Sequence, residues 1–211
     1  NAVDLSIDSL SDGGAAGTLT KQGTGDLILT AAGANAISGG TNFDVQAGRL
    51  VAVHNAGNNA LGNGSVTLNG GGMVLSSTAA ATFDNPVTVT QSGVILAQAV
   101  APGVAGQTIT LGSAANGISI DSGRTLTLSA AHNYTLVAGG TISGQGGLTV
   151  SCNTGSVRLD ADNSYAGQTT IARGTLQVGN GGASGTLGTG NVANSGALVM
   201  NRSDDVTLVN V

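Results

Sequence analysis

The chain repeats itself, and that limits what it can fold into more than any other feature of its 211 residues. The stretch from Gly17, GTLTKQGTGDLILTAAGANAISGGTNFDVQAGRLVAV, returns from Gly146 as GGLTVSCNTGSVRLDADNSYAGQTTIARGTLQV. Leu19 then matches Leu148, Leu29 matches Leu159, Asn35 matches Asn163, Gly39 matches Gly167, Gly48 matches Gly174 and Leu50 matches Leu176. The correspondence continues from ALGNGSVTLNGGGMVL at Ala60 to TLGTGNVANSGALVM at Thr186, and from DNPVTV at Asp84 to DDVTL at Asp204. Its offset drifts from 129 at Leu19 to 126 at Leu61 and 119 at Val87. Small insertions and deletions at turns produce such drift, and a stack of strand–turn units tolerates them.

Inside each copy lies a finer unit, a short alternating run closed by Gly, Asn, Asp or Ser: TLTK, DLILT, GSVTL, PVTVT, QTITL, GISID, RTLTLS, YTLVA and GGLTV. Alternation over four to six residues marks a strand with one buried face, and Val, Ile, Leu and Thr suit a pleated surface. Composition closes the other routes. Glu is absent, Lys occurs once as Lys21, and 8% of residues are charged, so the outer face of an amphipathic helix has nothing to solvate it. Hydrophobic content of 40% with a net charge of −5 argues against disorder. The 36 Gly punctuate an all-β chain. Its four aromatics (Phe43, Phe83, Tyr134, Tyr165) are too few for a sandwich and point to a narrow, aliphatic interior.

These features predict a parallel β-solenoid in which neighbouring coils bury jointly what no coil buries alone. At ~20 to 25 residues a coil the chain makes about nine coils, a rod of roughly 40 to 45 Å. Residues 1–211 read as one elongated solenoid, with 17–89 repeated in 146–208. Neither terminus offers a capping helix, so the end coils are bare templates for another subunit or for more of the chain. Asn1 reads as a mature or excised start, and Val211 falls mid-repeat, near the position of Gln91 or Ser92.

The residues that carry the repeat resemble the autotransporter-associated β-strand repeat of bacterial passenger domains. The matching pieces are GTLTKQGTGDLILTAAGANAISGGT at Gly17, GTISGQGGLTV at Gly140, NSYAGQTTIARGTLQVG at Asn163, and the ALGNG and TLGTG steps. The first copy departs by carrying Ile37 where Tyr165 stands and by two extra residues before Gly48. The stretch from Thr90 to Ala130 is poorer in signature. The resemblance implies a single-stranded right-handed parallel β-helix, export across the outer membrane, and a cell-surface or secreted location. It brings no catalytic residues, and without the translocator barrel of such proteins the chain is a passenger segment.

The inventory of chemical groups is thin. His54 and His132 stand 78 residues apart, and no G-x-S-x-G is present, so both read as face or turn residues. Asp160 and Asp162, beside Arg158 and Asn163, would serve as an acid/base pair or hold Ca²⁺, but Asp and Asn are so common in turns that a polar turn is the favoured account of them. Asp204 and Asp205 read the same way. GTGDLILT at Gly23 lacks the tandem register of a calcium-binding nonapeptide. Cys152, the one Cys, has no nearby His for zinc and reads as a small buried hydrophobe, with intermolecular bonding the alternative. Thr-x-Thr steps at Thr18, Thr88, Thr108 and Thr125 are spaced by 70, 20 and 17 residues, unlike the constant ladder of an ice-binding face. No phosphate loop, no basic run for nucleic acid and no helical membrane span is present. We therefore assign no catalytic, cofactor or metal residues. The expected partners are other copies at the end coils, or surface glycans and proteins. The readings in order are an adhesion-supporting stalk, a filament or sheath subunit, and a polysaccharide-active enzyme.

Overall fold

A computed structural model describes residues 4–30, 37–38, 40–55 and 57–208; Asn1, Asn35, Gly39 and Val211 lie outside the described residues. The first coil carries β1 (Leu5–Ile7) and β2 (Thr18–Lys21), the second β3 (Asp26–Leu29) and β4 (Asn42–Val45), the third β5 (Arg49–His54) and β6 (Ser65–Leu68). Later coils have three strands. These are β7 (Gly72–Ser77), β8 (Ala81–Phe83) and β9 (Val87–Val89), then β10 (Gly93–Ala97), β11 (Thr108–Leu111) and β12 (Ile118–Ile120). The sixth coil holds β13 (Thr125–Ala130), β14 (Thr135–Ala138) and β15 (Ile142–Gly144). The long strands β16 (Gly147–Leu159) and β17 (Thr169–Val178) run through a corner, and β18 (Val192–Asn194) and β19 (Ala197–Met200) form the last rung. Every pairing between these strands is parallel. The described residues make a β-solenoid of nine rungs, hence about eight turns.

Three columns of apolar side chains hold the stack together. On the first face Leu27, Leu50, Met73, Ile95, Leu128, Val150 and Ile171 lie in register. On the second the column is Ala81, Ile109, Leu136, Val157, Leu176 and Leu198. On the third it is Leu19, Phe43, Val66, Val87, Ile118 and Ile142. Away from the end rungs all of these residues except the half-buried Ala81 belong to one continuous buried core, each large side chain contributing about 1.5–3 kcal/mol of transfer free energy. All four aromatics belong to it too, and Tyr134, Tyr165, Phe43 and Phe83 are its bulkiest members. At both ends the counterparts come out of the core: Leu5, the register partner of Leu27, is 59% exposed and Met200, the partner of Val178, 36%.

The corners depend on glycine where coils press together. Gly48 and its repeat partner Gly174 both take positive φ, 64° and 78°. A Cβ on Gly174 would stand 2.6 Å from Cys152 Cβ, so the coil beneath forbids a side chain. Lys21, the single lysine, is buried at such a corner. Its ammonium donates to the carbonyls of Gln22 at 2.8 Å, Gly23 at 2.8 Å and Ala47 at 3.0 Å, tying consecutive corners together.

Coil length is steady with one exception. Leu27, Leu50, Met73 and Ile95 follow one another at 22 or 23 residues, and Leu128, Val150 and Ile171 at 21 or 22, but Ile95 to Leu128 takes 33. Part of the surplus, residues 98–106, straps the outside of the first face. Val100 N donates to Ser76 Oγ at 2.9 Å and Val104 N to Ser77 O at 2.9 Å. The Tyr134 hydroxyl donates to Val104 O at 2.5 Å. Under the strap Val51, Val53 and Val74 form a second buried cluster against which Val100 packs.

The two copies of the sequence repeat do not stand above one another. Leu19 belongs to the third-face column whereas its match Leu148 pairs Leu126 on the first face. Leu50 is on the first face and Leu176 on the second. The second copy is thus turned by one face of the coil relative to the first.

Candidate functional site

The outer surface is where any site must lie, because the interior is filled by apolar side chains. The third face shows a polar column, Thr20, Asp44, Thr67, Thr88, Ser119 and Ser143. Asp44 interrupts the hydroxyls: Oδ2 accepts from Gln46 Nε2 at 2.7 Å, while Oδ1 is buried without a hydrogen bond. The four Thr-x-Thr steps are dispersed. Thr18 and Thr88 begin or lie in third-face strands, Thr108 is on the second face and Thr125 on the first.

The acidic pair resolves into separate ion pairs. Asp160 is gripped by Arg158, with Nε to Oδ1 at 2.7 Å and the second guanidinium nitrogen to Oδ2 at 2.9 Å. Asp162 Oδ1 accepts from Gly185 N at 3.0 Å and lies 3.7 Å from Arg202. Arg202 also chelates Asp204 at 2.9 and 2.8 Å, which raises its own pKa and lowers that of Asp204. Both oxygens of Asp160 are already engaged by a cation, so the geometry does not present the paired free carboxylates that acid/base work or Ca²⁺ needs. Asn163, between them in sequence, is buried and structural. It accepts from Ile142 N at 2.7 Å and donates to Ala161 O at 3.0 Å and Thr186 O at 2.6 Å. Among the described residues no three His, Cys, Asp or Glu groups stand close enough to hold a metal ion.

His54 and His132 are far apart in role. His54 ends β5, half-buried, with its ring edge-on to Phe83 at 5.8 Å, and burial lowers its pKa. His132 is an exposed turn residue at φ 51° whose Nδ1 accepts from Ala99 N at 3.2 Å. Cys152 is buried in the core and its thiol pKa is pushed up by that burial, the opposite of an activated thiolate. Asp26 in GTGDLILT pairs with Arg49 of the next coil at 2.9 and 2.5 Å.

The corners and columns on which these residues sit are the ones the repeat encodes, and comparison with known proteins names it. The passenger-associated-transport-repeat family matches residues 19–52 and 153–178. The chain carries autotransporter passenger repeats. The chain is similar to an adhesin autotransporter, BmaC of Brucella suis biovar 1 (strain 1330), 32% identical over 185 residues. That alignment covers 88% of this chain and 4% of the relative, so the chain spans a small fraction of the length of the protein it matches. No solved structure matches. No helix among the described residues is long and apolar enough to cross a membrane.

Proposed function

We propose that this chain is a non-catalytic extracellular segment of a bacterial surface protein, a rigid β-solenoid stalk or scaffold that supports adhesion. The observation that carries the reading is the unbroken ladder of nine rungs on which Asp160, Asp162 and Asp204 are each tied to an arginine or a backbone amide. A column of stacked, filled coils resists bending and transmits position, which is what a stalk supplies. Similarity to an adhesin autotransporter supports the surface location and the adhesive role. The test is to delete this segment from the bearing protein and measure both surface exposure and cell attachment. Attachment must fall while the remaining protein still reaches the surface; unchanged attachment sinks the reading.

A second reading is a filament or sheath subunit, in which strands of one copy pair with those of the next. Light scattering over a concentration series separates the two. Growth of fibres supports self-assembly, and a rod of constant mass removes it.

A further inference from the structure

Where the second face meets the third, coils three to five enclose a polar cleft of about 540 Å³. The Asn- and Gly-rich turn of the third coil lines it with Asn58 and Asn63, the fourth coil with Thr82, Asp84 and Pro86, and the turn of the long coil between β11 and β12 with Asn116. The frame is rigid. Asn85, buried between Asp84 and Pro86, donates to Gly62 O at 3.0 Å and Gly64 O at 2.7 Å and accepts from Asn59 Nδ2 at 2.9 Å. Asn116 Nδ2 donates to Asp84 Oδ1 at 3.1 Å, fixing the carboxylate's orientation. What is left over is the other Asp84 oxygen, the Thr82 hydroxyl and the amides of Asn58 and Asn63, with no side-chain hydrogen bond to the described residues.

The chemistry of that remainder selects a ligand class. No Lys, Arg or His lines the cleft, so an anion finds no counter-charge there. One carboxylate is too little negative charge for a dedicated Ca²⁺ site, which takes six to eight oxygens with several carboxylates. Planar amides and a carboxylate each offer two hydrogen-bonding positions side by side, the spacing of adjacent hydroxyls on a sugar ring. The Pro86 ring gives an apolar facet for the C–H face of such a ring.

We propose that this cleft binds a neutral saccharide, with Asp84 and Asn63 as its principal hydrogen-bonding residues. The proposal supplies a ligand class for the adhesive reading and rests on it. Its test uses the purified 211-residue chain, titrated calorimetrically with maltotetraose, mannotetraose, cellotetraose and chitotetraose, and with sialyllactose and calcium chloride as counter-probes. At least one neutral tetrasaccharide binds. Asp84→Asn and Asn63→Ala each weaken it about tenfold or more, as loss of a hydrogen bond to a charged or desolvated partner does. Asp160→Asn, remote from the cleft, leaves binding unchanged, and circular dichroism of each variant confirms an intact fold. Failure of all four neutral probes, binding that survives both cleft substitutions, or displacement by calcium would overturn the proposal. None of those results alters attachment measured on the whole surface protein, so the two readings fail separately.

Discussion

Buried polar side chains carry more of the architecture than their number suggests, and Asn85 is the clearest case. Its amide satisfies two backbone carbonyls of the coil beneath and accepts from Asn59, all inside a protein wall. Asn85→Ala leaves Gly62 O and Gly64 O without this donor, so urea unfolding should show a loss of about 1–3 kcal/mol. His54 makes a pH-dependent contribution of known sign. Burial against Phe83 holds its pKa below the usual 6.5, so the unfolded chain takes up the proton first as pH falls. The stability it contributes is complete above that usual value and is lost as pH drops through the folded pKa. Melting temperature against pH should therefore decline on the acidic side, and His54→Phe should decline less over the same interval.

Strands were legible in the sequence where one side of them meets water and their residues alternate. All nine alternating runs, from TLTK to GGLTV, fall on strands. The runs RLVAVH and GMVLSS of β5 and β7 do not alternate, because both of their sides are covered: the core lies on one and the valine cluster under the 98–106 strap on the other. Burial on two sides erases the period of two. The strap itself has no local signal, since its anchors are contributed from coils before and after it. Tyr134→Phe removes the hydroxyl that holds Val104, and hydrogen exchange at residues 98–106 should accelerate while the strands of the first face keep their protection. What the sequence does not show of the acidic pair is its partners: adjacency of Asp160 and Asp162 hides that each faces a different arginine. The saccharide cleft was equally hidden, being assembled from turns of three coils whose Asn and Gly residues read singly as punctuation.

At the scale of the whole rod, stability is a sum over coils, so register rather than sequence decides which changes are tolerated. Excising residues 129–150 removes one full coil, from after Leu128 to its register partner Val150, and joins equivalent points. That variant should fold and shorten by roughly 4.8 Å in small-angle scattering. Excising 129–139, half as much, puts first-face residues onto the wrong side and should unfold the segment in circular dichroism. The 33-residue coil shows what an out-of-step length does in the native chain: its surplus is housed outside the core, as strap and cleft wall. The second copy of the repeat, set one face around from the first, adds a geometric outcome. Loops that correspond in sequence leave the column at different compass bearings, so an encounter from one flank meets the first set and an encounter from the next flank meets the second. A mast decorated in this way offers corresponding loops on two of its flanks.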